Sequence, residues 1–159
     1  MKFVSFLLKG QPKFGISDGN NITDLTGKIK GAQTLKELIS NKSIQEAKDF
    51  SKKNPGKINH DEIEYLPVIP NPGKIVCVGL NYSEHVKETG RTVEQNPVIF
   101  LRVDESLTAH KQPILRPMVS ESLDYECEMS VIMGDGGIHI IPEDAIKHIL
   151  GYYCYKECT

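Results

Sequence analysis

The first part of the chain alternates apolar and polar residues in short runs, whereas the later part contains continuous apolar runs. Because strand side chains alternate between two faces, the alternation over residues 2–8 and 13–17 predicts the two strands of a β-hairpin. Residues 10–12, Gly-Gln-Pro, are predicted to form its turn. Residues 21–25 are predicted to form a third short strand.

Two helices are predicted to follow, each from a capping signal at its N-terminus. Thr34 and Glu37 have the spacing of a capping box and precede an apolar helix face. Ser43 and Glu46 repeat that spacing and open a second helix that runs to about Lys52.

A proline-rich connector then separates two predicted domains. Pro67, Pro70 and Pro72 disfavour helix and indicate a short extended segment. We therefore predict a small N-terminal domain over residues 1–70 and a second domain over residues 71–159.

The second domain is predicted to consist mainly of strands. Residues 74–78 and 98–101 are continuous apolar runs, which predict buried strands. A short helix is expected between them over residues 83–89. Residues 122–133 form a longer predicted strand, and Pro142 marks the start of a further helix that is followed by a strand from residue 152.

Composition narrows the possible functions of the chain. It has 159 residues, of which 39% are hydrophobic and 25% charged, with a net charge of −2. This balance is typical of a globular protein and does not favour nucleic-acid binding, which usually needs a basic patch. No apolar run has transmembrane length, and the N-terminus lacks the pattern of a signal peptide. We expect a cytoplasmic protein without membrane or nucleic-acid partners.

The strongest chemical signal is a pair of acids in the predicted strand 122–133. Glu126 and Glu128 are two residues apart, so their carboxylates lie on one strand face about 7 Å apart along the strand. A hard divalent cation would relieve their repulsion, because such ions prefer oxygen ligands. The alternative is a solvated outer face, with Cys127, Met129 and Val131 in the core.

A second signal follows the first apolar run. His85 and Glu88 are three residues apart and share a face if the segment is helical, so the carboxylate could orient the imidazole as a general base. Gly79 and Asn81 lie where the strand ends and could bind substrate oxygens. The alternatives are a surface histidine with a chance neighbour and an ordinary tight turn.

Three blocks in order, residues 74–85, residues 97–102 and residues 123–128 with their continuation to residue 152, resemble the fumarylacetoacetate hydrolase family. The resemblance implies an α+β fold, with a small N-terminal domain followed by part of the mixed β-roll of the catalytic domain. It also implies an enzyme that hydrolyses, decarboxylates or isomerises 2,4-dioxo acids or their enols. A homo-oligomer, specifically a dimer, is expected.

The resemblance also implies roles for particular residues. Glu126 and Glu128 match the family's metal-binding pair, and the third acidic ligand falls on Glu157, so that Mg²⁺ or Mn²⁺ is expected, with Ca²⁺ as the alternative. His85 and Glu88 match the dyad that activates water. The substrate-binding positions fall on three residues: Gly79, Asn81 and Arg102.

This sequence departs from the family pattern at several of these positions. Glu157 stands where Asp is usual, and Arg102 stands where Lys is common. Lys156 precedes Glu157 where Asn is usual, so a positive charge is expected beside the metal site. Family members are also expected to continue for roughly as long again. The alternative function is therefore a catalytically inactive homologue or fragment that serves as a binding or oligomerisation module.

Overall fold

The computed structural model describes residues 1–91 and 96–158, and its contacts divide the chain into two compact units, residues 1–112 and residues 113–159. The fold class is α+β, as predicted. None of the helices in the described ranges is long and apolar enough to cross a membrane. The strands are β1 (Lys2–Leu8), β2 (Gln11–Ser17), β3 (Asn21–Asp24), β4 (Ile58–Asn59), β5 (Ile63–Tyr65), β6 (Ile75–Gly79), β7 (Val98–Arg102), β8 (Tyr125–Met133) and β9 (Ile149–Cys158). The helices are α1 (Leu35–Ser40), α2 (Ile44–Lys53), α3 (Ser83–Glu88) and α4 (Pro142–Ala145).

The N-terminal sheet is antiparallel and has the strand order β4-β3-β2-β1-β5. Its two edge strands, β4 and β5, are joined by only the 3₁₀ turn His60–Glu62. Since so short a connection must link opposite edges, the sheet curls until these edges approach each other.

The first hairpin has a tighter turn than the sequence predicted. Leu8 pairs with Gln11, so the loop consists of Lys9 and Gly10, which have φ values of 52° and 75°. Two consecutive positive φ values match the twist of a two-residue hairpin turn. Gln11 and Pro12, which were predicted to be turn residues, belong to β2 instead. Proline is tolerated there because β3 pairs only with the later part of that strand.

One of the two predicted capping boxes forms. At α1, Thr34 Oγ1 accepts from the Glu37 backbone N at 3.2 Å, and the Glu37 carboxylate accepts from the Thr34 backbone N at 3.0 Å. At α2, Ser43 is the N-cap residue, but its side chain makes no capping hydrogen bond. Its hydroxyl instead donates to the Asn41 carbonyl, so the second predicted box is wrong although the helix itself is confirmed.

The main hydrophobic core lies between the N-terminal sheet and helices α1 and α2. Strand β2 supplies the inner face of the sheet, and both helices supply residues at helical spacing. The side chains of the core residues are almost fully buried. Burial of a large apolar side chain contributes about 1.5–3 kcal/mol to stability. The core consists of Phe14, Ile16, Leu25, Ile29, Ala32, Leu35, Leu38 and Ala47.

Strands β6 and β7 form a separate two-stranded ribbon whose burial differs from the prediction. Val76, Ile99 and Leu101 are 55%, 52% and 67% exposed. The two apolar runs do form strands, but they are not buried, because no other element among the described residues covers this face. A continuous apolar run predicts a strand without specifying what covers it.

The division of the chain by contacts falls at residues 112/113, not at the connector near residue 70. Residues 110–112 pack against β5: the His110 ring meets the Tyr65 ring edge-on at 5.0 Å, and Gln112 donates to Glu64 at 3.1 Å. These contacts join the segment to the N-terminal sheet. The predicted domain boundary between residues 70 and 71 stays a prediction.

Candidate metal centre and active-site residues

The antiparallel pairing of β8 with β9 brings three acids together. Glu126 lies directly opposite Glu157, and Glu128 lies two residues further along the same face. Directly opposed side chains have Cβ atoms about 4.5–5.5 Å apart, and like charges at that separation destabilise a sheet. The predicted metal ligands therefore share one face of this β8–β9 ribbon. We call that face, with Glu126, Glu128 and Glu157, the acidic face.

The acidic face is the more covered side of the ribbon. Glu157 is only 5% exposed and Glu128 is half-buried, whereas Met129 and Val131 on the opposite face are 64% and 40% exposed. The alternative in which Cys127, Met129 and Val131 form the core is therefore wrong for the described chain. The acidic face is therefore the more covered of the two faces, although Glu126 itself is exposed.

The carboxylates influence one another electrostatically. Burial raises the pKa of Glu128 above its usual value, and the negative charges of Glu126 and Glu157 raise the pKa further. A raised carboxyl pKa means that the ionised form is disfavoured by its surroundings. A cation bound between these groups would reverse that preference.

The donor set fits a hard divalent ion in its chemistry, because it consists of carboxylate oxygens. Within residues 1–91 and 96–158, however, no three side chains of the His, Cys, Asp or Glu type are arranged closely enough to hold a metal ion. The three glutamates are neighbours by register, but their oxygens do not converge. Binding would therefore require their side chains to reorient.

Lys156 lies away from the acidic face. Strand alternation puts it on the side opposite Glu157, and its Nζ atom stands 4.5 Å from the centre of the Tyr125 ring. The sequence suggested that this positive charge would lie beside the metal site. The structure corrects that expectation, because neighbouring strand residues point to opposite faces.

The predicted dyad lies on α3. His85 Nδ1 is 3.9 Å from Glu88 Oε2, a distance suited to an ion pair but longer than a hydrogen bond. Both side chains are exposed, at 46% and 77%. The helix therefore presents the two groups on one face, as its spacing predicted. Their position relative to the acidic face stays a prediction.

The predicted substrate-binding residues do not all lie together. Gly79 pairs with Val98 at one end of the β6–β7 ribbon, whereas Arg102 pairs with Ile75 at the other, about 13 Å away along the strands. Asn81 is exposed just beyond Gly79. The structure therefore separates Arg102 from Gly79 within this ribbon.

The Arg102 guanidinium lies 5.0 Å from the centre of the Phe100 ring. A cation over an aromatic face is attracted by the ring quadrupole, so this contact orients the side chain along its own strand.

Sequence reasoning missed the aromatic neighbours of the acidic face. Tyr155 lies opposite Glu128, and Tyr153 lies opposite Ser130 on the same face. The two tyrosine rings meet edge-on with centres 6.3 Å apart. The alternation of Tyr153 and Tyr155 was visible in the sequence, but only the strand register places them beside the acids.

Comparison with known proteins shows the family to which this chain belongs. The family model described as "Fumarylacetoacetate (FAA) hydrolase C-terminal" matches residues 74–159, more than half of the chain. The chain therefore belongs to the fumarylacetoacetate hydrolase family, whose members are hydrolases, isomerases or tautomerases.

Particular relatives cover nearly the whole chain. Oxaloacetate tautomerase fahd2, mitochondrial, of Xenopus laevis is 32% identical over 96% of this chain and 50% of its own length. The fumarylacetoacetate hydrolase of Exiguobacterium antarcticum is 26% identical, with a TM-score of 0.81 over 100% of this chain and 56% of its own.

Maleylpyruvate hydrolase from Sphingobium sp. SYK-6, solved in complex with manganese (II) ion and pyruvate, shares the fold. Its TM-score is 0.80 at 20% identity, over 100% of this chain and 59% of its own. This chain thus spans slightly more than half the length of these solved structures and half that of the Xenopus relative.

Proposed function

We propose that the chain contributes the metal-binding acids and the proton-transferring dyad of a divalent-metal-dependent hydrolase or isomerase of this family. Its substrates would be 2,4-dioxo acids or their enols. The observation that carries the proposal is the acidic face, where Glu126 lies directly opposite Glu157 and where burial, together with the charges of these two acids, raises the pKa of Glu128. Like charges on one strand face repel each other, and a cation held between these carboxylates would relieve that repulsion.

In this proposal Glu126, Glu128 and Glu157 hold Mg²⁺ or Mn²⁺ through their carboxylate oxygens. The bound ion would polarise a substrate carbonyl and offset the negative charge of an enolate. The role of the β8–β9 ribbon in metal binding would be to hold the three carboxylates next to one another on one face. We use Mn²⁺ in the test because the structural neighbour was solved with manganese. At 20% identity that neighbour shares only the fold, so it does not identify the metal of this chain.

The dyad would move the proton. With Nδ1 of His85 facing Glu88, Nε2 is the atom placed to accept a proton from water in hydrolysis or from carbon in isomerisation. Glu88 would stabilise the imidazolium that results. Gly79 and Asn81, which lie together at one end of the β6–β7 ribbon, are proposed to contact substrate oxygens, whereas Arg102 at the other end is too far from them to contact the same small substrate.

Loss of a carboxylate ligand should weaken metal binding. We expect Glu126→Gln to reduce Mn²⁺ affinity by about tenfold or more, because a charged ligand is removed while its shape is kept. Isothermal titration calorimetry on both proteins measures this. Glu121→Gln is the matched control, since Glu121 is an exposed acid shortly before β8. Equal Mn²⁺ affinities of Glu126→Gln and the unaltered chain would refute the site.

Loss of the general base should reduce turnover and leave metal binding intact. General-base help is typically worth about 10²–10⁴-fold in rate, so we expect His85→Ala to lower turnover of an acylpyruvate by about that factor. His139→Asn is the control, since His139 is exposed and its φ of 54° suits asparagine. A turnover rate equal to that of the unaltered chain would make His85 an ordinary surface residue.

A binding or oligomerisation module is the second candidate. Two observations favour it: the acids do not converge on one point, and the face opposite them exposes large apolar side chains. Binding of Mn²⁺ without turnover, together with a solution mass of a dimer or larger, would support the module. Light scattering measures the mass and also tests the predicted homodimer.

A further inference from the structure

Three polar side chains of the N-terminal sheet form a hydrogen-bonded series that the proposed function does not use. Ser17 Oγ lies 2.9 Å from His60 Nε2, and His60 Nδ1 lies 2.7 Å from Tyr65 Oη. Ser17 ends β2, His60 begins the turn between β4 and β5, and Tyr65 ends β5. The curling of the sheet thus joins residues that are 43 positions apart in the sequence.

The hydrogen bonds suit a serine that loses its proton to histidine. Ser17 Oγ accepts from the Gly19 backbone N at 3.0 Å, which leaves its own proton to donate to His60 Nε2. In the tautomer with a proton on Nδ1, His60 donates to Tyr65 Oη. A nucleophile, a base within hydrogen-bond reach and a third group that orients the base are the features of an activated nucleophile.

The surroundings hold this arrangement in place. Besides its contact with His60, the Tyr65 ring meets the His110 ring edge-on at 5.0 Å and has Lys111 Nζ 6.0 Å from its centre. These contacts with the Tyr65 ring help to hold its hydroxyl beside the His60 imidazole.

A negative charge lies close to the imidazole. Backbone N–H groups of Asn21 and Asn20 hold the pKa of Asp18 below its usual range, and Asp18 also interacts electrostatically with His60.

We propose that Ser17 is an acyl-accepting nucleophile, with His60 as its general base and Tyr65 as the positioning residue. The substrate class is a small activated acyl compound, such as an acetyl ester with a good leaving group. Ser17 Oγ forms a bond to the carbonyl carbon, and its proton passes to His60 Nε2. The bond from that carbon to the leaving group then breaks, and the leaving group departs with the proton from His60.

The burial of Ser17 limits the size of the acyl group. The serine is only 6% exposed, whereas His60 is half-buried and is therefore more accessible to solvent than Ser17. We therefore limit the proposal to small acyl donors. The site does not depend on the metal proposal, because it uses none of the residues of the acidic face or of α3.

The test uses p-nitrophenyl acetate with the 159-residue chain, followed by nitrophenolate release and peptide mass mapping. We expect one acetyl group on Ser17, no acetylation there in Ser17→Ala, and a rate about 10²–10⁴-fold lower in His60→Ala. Added imidazole should restore part of the rate in His60→Ala, which a merely structural histidine would not allow. Tyr65→Phe should lower the rate constant while leaving the apparent affinity for the ester unchanged.

Ser5→Ala is the matched control, because Ser5 is 3% exposed and its hydroxyl donates to the Val68 carbonyl rather than to a base. Its acetylation kinetics should equal those of the unaltered chain. Acetyl groups found only on lysines or the N-terminus of the unaltered chain would overturn the proposal, even if the variants fail to fold. An unchanged rate of Ser17 acetylation in folded His60→Ala would also overturn it.

Discussion

The N-terminal sheet and the β8–β9 ribbon distribute polar and apolar side chains in opposite ways. In the sheet, strand β2 turns Phe14 and Ile16 inward, where they are 1% and 2% exposed. In the ribbon, the covered side carries acids and tyrosines, and Met129 on the other side is 64% exposed. In both regions apolar and polar residues alternate along the strand, but residues 14–17 of β2 are all buried, whereas Met129 and Val131 of β8 are exposed.

This contrast separates residues that stabilise the fold from residues available for chemistry. The N-terminal core follows the usual rule that folding removes apolar surface from water. The acidic face departs from that rule, because burial of charged groups is costly unless a partner compensates it. Such a departure from the usual rule is expected at a functional site.

The largest expected difference between the two regions concerns stability. Leu38→Ala removes a side chain that is 0% exposed in the N-terminal core and should lower the free energy of unfolding by about 2–5 kcal/mol. Met129→Ala removes a similar volume from an exposed position and should change it by only about 0.5 kcal/mol. Urea unfolding followed by circular dichroism measures the free energy of unfolding of both variants. Equal losses would mean that the open ribbon face is covered in solution.

Several features of the fold were predictable because their signals are local. The hairpin strands follow from alternation, and the cap of α1 follows from the spacing of Thr34 and Glu37. The shared face of Glu126 and Glu128 follows from a strand period of two. In each case the signal lies within a few residues of the feature that it predicts.

Other features depend on contacts between distant segments. A lysine gives no sign that it will adopt the positive φ seen at Lys9. The alternation of β8 predicts two faces but not which of them is covered, and so the position of Met129 was unpredictable. Ser17 and His60 are too far apart in sequence for any spacing to connect them.

A smaller effect should distinguish the acidic face by its pH dependence. Because the pKa of Glu128 is raised in the folded state, ionisation of this group lowers the stability of the fold as the pH rises above the usual glutamate pKa. Below the usual pKa the group is protonated in both the folded and the unfolded state, so it has no such effect. Glu128→Gln should therefore raise the melting temperature at pH 7 in the presence of a chelator. The gain should shrink as the pH falls through the raised pKa of Glu128 and should be absent below the usual pKa of a glutamate.

Differential scanning calorimetry across pH measures this gain, with Glu121→Gln as the control for a general loss of negative charge. Added Mn²⁺ should reverse the order, because the ion stabilises the unaltered chain more than the variant that lacks a ligand. A variant that is less stable than the unaltered chain at pH 7 without metal would contradict the electrostatic interpretation of this face.

The smallest expected effect comes from an ion pair of the N-terminal sheet. Lys13 Nζ lies 2.8 Å from Asp24 Oδ2, and both side chains are about a quarter exposed. Burial alone would raise the pKa of Asp24, but hydrogen bonds from the Lys13 and Thr26 side chains and from the Thr26 backbone N lower it overall. In contrast to Glu128, this carboxylate already has its cation within the chain.

Lys13→Met should accordingly cost at most about 1 kcal/mol at pH 7, since ion pairs that solvent can still reach contribute little. A lowered folded-state pKa contributes stability above the usual aspartate pKa, and that stability is lost as the pH falls through the lowered value. The difference in stability between Lys13→Met and the unaltered chain should therefore disappear at acidic pH. At pH 7 this variant is the less stable of the two, whereas Glu128→Gln is expected to be more stable than the unaltered chain. Lys52→Met is the control, because Lys52 is 3.8 Å from Asp49 in a more exposed pair. A pH-independent cost for Lys13→Met would show that the lysine stabilises the sheet through packing of its alkyl chain rather than through its charge.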